Sequence, residues 1–337
     1  MADSTLPPFI QALLKSEAYP HPAPKIILVQ THISYVLLAG DFVYKIKKSV
    51  DFGFLNFTTL EKRKHFCEEE LLLNRRLCPT LYLGLVAITQ QESTFSLDGQ
   101  GPPVEYAVKM ARMPEERMMA KVISQGGLTK EILDRIIAIL VPFYAKAETG
   151  PTIAKFGTAQ AVSVNVLENF EQTQDFIGCA ALSREQFNTI SDYARNFLEQ
   201  QDLFATRLAA GRVRDCHGDL YSANICLDDE IHIYDCIEFN QRFRYCDVAS
   251  DVAFLAMDLD FHDLPELSAY FIEHFCQAAD DTTLLPMLNF YKCYRAYVRG
   301  KIGLFTAHAP EVDPTTAENC LAQAKKYFAL AERYAAS

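Results

Sequence analysis

The distribution of apolar positions changes character about a third of the way along the chain. Up to Pro114 it is mostly that of strands. IILVQ (26–30) is a β run, and YVLLAGDFVYKIKK holds two more, Tyr35–Leu38 and Phe42–Lys47, joined by the tight-turn composition Ala39-Gly40-Asp41. Helical spacing begins near Thr58, where Leu60, Phe66, Leu73 and Leu77 recur at roughly helical intervals until Pro79 closes the run. LYLGLVAI (81–88) and VEYAVKM (104–110) return to strand, separated by a polar, turn-rich loop over 89–103. The pattern predicts a small sheet with one long helix.

After Met113-Pro114 the spacing is mostly helical. Segments near 129–147, 160–172, 184–210, 247–258, 265–279, 283–305 and 315–335 suit helices, interrupted by one strand pair at about 225–234. The expected division is an extension over 1–24, a first lobe over 25–113 and a second over 114–337. No repeat of fixed period and no low-complexity stretch is present.

Composition narrows the function classes. The chain has 337 residues, half of them hydrophobic and 22% charged, which is globular rather than disordered. A net charge of −11 repels phosphate backbones and argues against general nucleic-acid binding. No apolar run approaches the ~20 residues needed to cross a bilayer. MADSTLPPFIQALLKSEAYP lacks a basic start followed by an apolar run, so the expectation is a cytosolic protein without a membrane partner. None of the ten cysteines sits in a C-x-x-C pair, and no Cys/His cluster suggests zinc. Cys216, Cys226, Cys236 and Cys246 fall ten apart, but the segments between them are dissimilar. They read as small buried apolar side chains.

The densest chemistry lies in DCHGDLYSANICLDDEIHIYDCIEF, 215–239. ICL and IHIY flank Asp228-Asp229-Glu230, a turn composition. Folded as a hairpin that pairs Ile225 with Tyr234, the segment sets Asn224 opposite Asp235. Directly opposed residues have Cβ atoms about 4.5–5.5 Å apart. An amide oxygen and a carboxylate at one hairpin end are hard ligands suited to Mg²⁺ that also holds phosphates. Asp219, in the loop entering the hairpin, could reach the same end without being a ligand. This is the logic of a catalytic-loop Asp, a metal-binding Asn and a second metal-binding Asp in phosphoryl transfer.

With HGDLYSAN followed by Asp235, the chain resembles the aminoglycoside phosphotransferase / choline kinase superfamily. THISYVLLAGDFVYKIKKSVDFGFLNF, EEELLLNRRLCPTLYLG and DCIEFNQRFRYCDVASDVAFLAMDL are similar to a bacterial subfamily of aminoglycoside phosphotransferase family enzymes. Some members of that subfamily are fused to a P-loop kinase-like domain; no G-x-x-x-x-G-K-[ST] occurs here. The resemblance covers about 25–335. It implies an α+β, two-lobed protein-kinase-like fold, with a small antiparallel-sheet N-lobe and a mostly helical C-lobe. It also implies ATP and Mg²⁺, with Asp219 as catalytic base and Asn224 and Asp235 as metal ligands.

The resemblance also requires a strand lysine on the phosphates, held by a helix glutamate. Lys45 ends FVYK in the third strand; Lys47 and Lys48 compete, and Lys47 shares its face. Glu70 is the matching partner and Glu69 the alternative. No G-x-G-x-x-G covers the phosphates. The turn Thr31-His32-Ile33-Ser34 offers its backbone N–H groups, the Thr31 and Ser34 hydroxyls and His32 instead. The adenine site is expected at the hinge KMARM (109–113), with Met110, Arg112 and Met113. Asp247 matches the structural Asp that opens the helix behind the catalytic loop and bonds the loop's backbone; Asp251 is also read as structural. Glu238, three residues after Asp235, suits either a substrate contact or a supporting role.

The acceptor reading turns on YKCYRAYVRGK, 291–301, where Lys292, Arg295 and Arg299 lie at i, i+3 and i+7 of a helix. A basic aromatic stripe lining the pocket would favour an anionic or neutral polyhydroxyl acceptor over a polycation. A solvated face paired with nearby acids is the plainer alternative. The expected function is transfer of the ATP γ-phosphate to a hydroxyl of a small molecule. A nucleotide-binding regulatory pseudokinase and a kinase acting on protein are the rivals.

Overall fold

The computed structural model of the chain describes residues 6–310 and 312–337. It divides into two compact units. One holds residues up to Met118 together with Ile225–Asn240; the other holds Met119–Asn224 and Gln241–Ser337.

The first unit is built on a six-stranded antiparallel sheet of β1 (Ile26–Gln30), β2 (Ser34–Ala39), β3 (Phe42–Lys47), β4 (Tyr82–Gln91), β5 (Thr94–Leu97) and β6 (Pro103–Ala111), in the order β1-β2-β3-β6-β4-β5. Ala39 pairs with Phe42, so Gly40-Asp41 is a two-residue turn. Gly40 has φ +60°, and a Cβ there would stand 2.5 Å from the Pro22 carbonyl oxygen, so only glycine fits. β5 lies inside the segment expected to be an irregular loop, because Thr94–Leu97 turns back onto Ile88–Gln91. The helix Leu60–Asn74 is capped by Thr59, whose side chain accepts from Lys62 N–H.

Two sequence expectations are revised in this unit. Residues 1–5 lie outside the described residues, but the remainder of the expected extension is integral. Ile10 and Leu13 of the helix Pro8–Leu13, with Tyr19 and Ala23, share one core with Leu37, Tyr44 and Ile46. Apolar contact, not the start of the sheet, sets that boundary. The hairpin Ile225–Leu227/Ile231–Ile233 packs with the sheet unit, but its register differs by one residue. Ile225 pairs with Ile233 and Leu227 with Ile231, across a three-residue turn. Asn224 and Asp235 are therefore not a ladder pair, and Asp235 leaves the hairpin with φ 62°.

The second unit is mostly helical. Its centre is the helix Val248–Phe261, buried along Val248–Leu259 and capped by Asp247, which accepts from Ala249 N–H at 2.9 Å. Around it lie the helices Lys130–Lys146, Ala159–Gln172, Arg184–Leu198, Gln201–Ala209, Pro265–Ala279, Leu288–Ala307 and Pro314–Ala336. The single helix expected over 184–210 breaks at Gln200, which leaves the helical region at ψ 60°. Pro286 gives the start of the 283–305 segment a 3₁₀ form, and α-helix begins at Leu288. Among the described residues no helix is long and apolar enough to cross a membrane.

Candidate active site

In the sheet unit, strand alternation places Lys45 and Lys47 on one face of β3. Both reach Glu70, which the helix Leu60–Asn74 holds with no exposed surface. Glu70 Oε1 lies 2.9 Å from Lys45 Nζ, and Oε2 accepts from Lys47 Nζ at 2.7 Å. Lys45 also donates to Asp235 Oδ1 at 2.5 Å, and Lys47 donates to Glu238. The competition between the two lysines ends in a shared glutamate: Lys45 takes the carboxylate expected to bind metal, and Lys47 takes the one three residues on. Glu69, one residue away on the helix, is half-buried and outside this network.

The segment carrying Asp235 is pinned on both sides. Asp235 N–H donates to Tyr82 Oη at 3.2 Å and Cys236 N–H to Asn74 Oδ1 at 2.8 Å. Asn74 Nδ2 in turn donates to the Glu70 carbonyl at 2.8 Å. These bonds hold Asp235 in the left-handed region, which Asp tolerates better than bulkier residues. Its side chain remains 41% exposed, against 0% for Glu70, so it is the accessible carboxylate of the set.

The electrostatics follow from burial and pairing. Burial pulls the Lys45 ammonium down, but Asp235, Glu70 and Glu238 outweigh it, and its pKa stands well above that of ordinary lysine. Lys47 is raised in the same way by Glu238 and Glu70 against its burial. For Glu70, burial pushes upward, but Lys45 and Lys47 prevail and hold it at about 2, below the usual 4.5. Glu238 goes the other way: burial outweighs Lys47 and raises it. The Glu70 pairing therefore contributes stability that is full above about pH 4.5 and is lost as pH falls toward about 2. The stabilisation from the two lysines is full below pH 10.5 and is lost only at higher pH. Ionising Glu238 lowers stability as pH rises from 4.5. Urea unfolding followed by circular dichroism should show Glu70→Gln losing less stability than wild type between pH 5 and pH 3. Equal losses would mean that the lysines do not hold Glu70 ionised.

In the helical unit, the loop His217–Asn224 is organised from behind by Asp251. This fully buried carboxylate accepts from His217 N–H (2.7 Å), Gly218 N–H (2.9 Å) and Tyr144 Oη (3.2 Å). Arg295 donates to the Gly218 carbonyl at 2.9 Å and to Ser250 Oγ at 3.2 Å. Gly218 itself turns at φ 87°. Asp219 N–H donates to His217 Nδ1 (3.2 Å), and Asn224 Nδ2 donates to both the carbonyl and Oδ2 of Asp219, each at 3.0 Å. Asp219 and Asn224 are thus joined directly.

Two roles differ from expectation. The loop-bonding carboxylate is Asp251, one helical turn beyond Asp247; Asp247 caps the helix and pairs with buried Arg207 at 2.7 Å. The basic stripe is neither a solvated face nor a free lining. Lys292 pairs with Asp260 at 2.8 Å and Arg295 is buried beneath the loop. The i, i+4 spacing of Asp247 and Asp251 was the signal that either could face the loop.

The remaining residues occupy more local positions. Thr31 Oγ1 accepts from Ser34 N–H at 2.9 Å and closes its own turn, while the Ser34 hydroxyl is buried without a hydrogen-bond partner. Met110 is buried beside Val108, Tyr82 and Leu71, and Met113 packs against the same cluster. Arg112 is exposed at the end of β6, with its N–H on the Asp41 carbonyl at 2.9 Å. Among the described residues no group of three or more His, Cys, Asp or Glu side chains gathers as a metal site. Mg²⁺ held through one or two protein oxygens plus phosphates does not require one.

No family model matches the chain. Uncharacterised proteins of Mycobacterium tuberculosis and Mycobacterium bovis are 33% identical over 281 residues, covering 83% of this chain and 55% of theirs. The chain thus spans about half the length of the curated relatives it matches. Among solved structures it is similar to an amicoumacin kinase in complex with AMP-PNP, Ca²⁺ and Ami (TM-score 0.56, 11% identity, covering 95% of this chain and 92% of that one). It is also similar to a spectinomycin phosphotransferase in complex with ADP and spectinomycin (TM-score 0.50, 12% identity, covering 96% and 98%). The chain has an α+β, two-lobed, kinase-like fold similar to that of these two proteins, a small antiparallel sheet unit and a mostly helical one.

Proposed function

We propose that this protein is an ATP-dependent phosphotransferase that moves the γ-phosphate to a hydroxyl of a small molecule. The observation that carries the reading is the pairing of functions in the described geometry. Lys45 bridges Glu70 and the accessible Asp235, and the Asp251-held loop presents Asp219 bonded to Asn224. These are the residue types that phosphoryl transfer by positioning and charge neutralisation uses. The kinases of like fold support the same class of reaction.

In this reading Asp219 orients the acceptor hydroxyl and takes its proton. Lys45, kept charged by Glu70, receives phosphate oxygens. Thr31 and Ser34 border the phosphates, and Met110 and Arg112 the base. The hard oxygens of Asp235 and of the Asn224 amide fit Mg²⁺, which would neutralise phosphate charge when bound. Asn224 Nδ2 is engaged by Asp219, which leaves its amide oxygen for that task. In this reading the protein works in the cytoplasm, where ATP is at hand. The second reading, a nucleotide-binding regulator, draws on the glycine-free turn over 31–34.

The metal assignment is tested by titrating Mg-ATP in a calorimeter. Asp235→Ala should weaken binding by about 10–100-fold, as loss of a metal contact does. Asp235 is partly exposed, so the fold should survive the change. Affinity equal to wild type would refute Asp235 as a ligand.

A further inference from the structure

The three bases of the Leu288–Ala307 helix have different fates. Lys292 is bonded to Asp260 and to Ser268 Oγ (3.0 Å), and Arg295 to the Gly218 carbonyl and Ser250. Among the described residues no carboxylate forms a salt bridge with Arg299, and its Nε is buried without a hydrogen-bond partner. Its guanidinium instead lies over two rings, 4.8 Å from the centroid of Tyr221 and 5.7 Å from that of Tyr327. Tyr221 is two residues after Asp219 on the same loop, and it is stacked on Phe254 with centroids 5.3 Å apart. Tyr327 is stacked on Phe261 at 3.8 Å. The two rings are thus fixed, and so is the cation between them. Gly300, the next residue, lets the Pro314–Ala336 helix approach this closely: a Cβ there would stand 2.8 Å from the Phe328 ring.

Charges withdrawn from water are ordinarily paired with an opposite charge. Arg299 is mostly withdrawn, preorganised by two aromatic faces, and sits beside the loop that carries the candidate base. Asp219 bears on its charge, and the guanidinium donates a hydrogen bond to the Tyr327 hydroxyl. We propose that Arg299 seats an anionic group, a carboxylate or a phosphate monoester, carried by the hydroxyl acceptor. The proposal rests on the phosphotransferase reading for the word acceptor, and it narrows the substrate class to hydroxylated anions. A polycation would meet the Arg299 charge, which no carboxylate within ion-pair distance neutralises among the described residues. The same chemistry could instead serve the nucleotide's own γ-phosphate, and the test separates the two.

Inorganic phosphate is titrated calorimetrically into the protein saturated with Mg-AMP-PNP, so that the γ-position is already filled. Saturable binding is expected, weakened about tenfold or more in Arg299→Gln, as loss of a charge-assisted contact implies. It should be partly restored in Arg299→Lys and unchanged in Arg242→Gln, which alters a surface pair with Glu168. Thermal melts establish that each variant is folded, and the lysine variant keeps the cation should glutamine disturb packing. Absence of saturable phosphate binding, or equal binding in wild type and Arg299→Gln, overturns the proposal. So does phosphate binding seen only when AMP-PNP is absent, which assigns the anion to the nucleotide. Failure to saturate with Mg-AMP-PNP would instead count against the phosphotransferase reading, with the Arg299 comparison still readable on the free protein.

Discussion

Asp219→Asn is expected to leave Mg-ATP affinity within about twofold of wild type while lowering turnover about 10²–10⁴-fold, the usual contribution of a general base. The two effects separate because, in the proposed mechanism, Asp219 acts on the acceptor hydroxyl and not on the nucleotide. Asparagine has nearly the same shape, and its oxygen can still accept from Asn224 Nδ2, as Oδ2 of Asp219 does at 3.0 Å. The loop is held from behind through the backbone of His217 and Gly218, so it does not depend on the Asp219 carboxylate. What the amide lacks is the capacity to take a proton. Calorimetry and single-turnover kinetics on one preparation measure both quantities. A loss of less than about tenfold would point to another base.

Asp251→Ala should have the largest effect on stability. The carboxylate is fully buried and accepts two backbone N–H groups and the Tyr144 hydroxyl. Its removal leaves those donors without partners, each at a cost of about 1–3 kcal/mol. It also strips Arg295, whose Nη2 lies 3.8 Å from Asp251, of its carboxylate neighbour. Breaking a buried charge pair costs about 3–5 kcal/mol; the losses share one carboxylate and overlap rather than add, and we expect a total of about 3–5 kcal/mol. Denaturant unfolding of Asp251→Ala, with Asp251→Asn as the conservative comparison, measures it. The asparagine variant keeps one acceptor oxygen and should lose less. A destabilisation below about 1 kcal/mol for the alanine variant would show that water or another group takes over these bonds.

Most of the sheet was legible in the sequence because its apolar runs are bounded by turn residues; β2, β3 and the Gly40-Asp41 turn fall where the pattern places them, while β5 was hidden in a polar segment. The helix Leu60–Asn74 was less so. Its buried face carries Arg63, Glu70 and Asn74, while Leu72 is 65% exposed, so hydrophobic periodicity describes it poorly. That inversion follows from its task, since the face toward β3 must neutralise two lysines. The string from His217 to Asn224 suggested the proposed chemistry by residue type and spacing. The one-residue hairpin register was hidden because Asp228-Asp229-Glu230 supports a two- or three-residue turn equally well. The roles of Asp251, Arg295 and the Lys47–Glu238 pair depend on partners far apart in the chain. Local spacing can put such a residue on a face but cannot name what it meets there. For the same reason Lys292, Arg295 and Arg299 looked alike as a stripe and turned out to differ.

The central claim, phosphoryl transfer from ATP to a small-molecule hydroxyl, is met most directly by an ATP-consumption screen. Wild-type protein with Mg-ATP is presented with a panel of hydroxylated metabolites that spans anionic, neutral and cationic members, and Asp219→Asn serves as the blank. The account predicts acceptor-dependent ADP release and a phosphorylated product with at least one member, Mg²⁺-dependent and absent from the blank. Tight Mg-ATP binding with no acceptor raising ADP release above Asp219→Asn would contradict it and leave the regulatory, nucleotide-binding reading in its place.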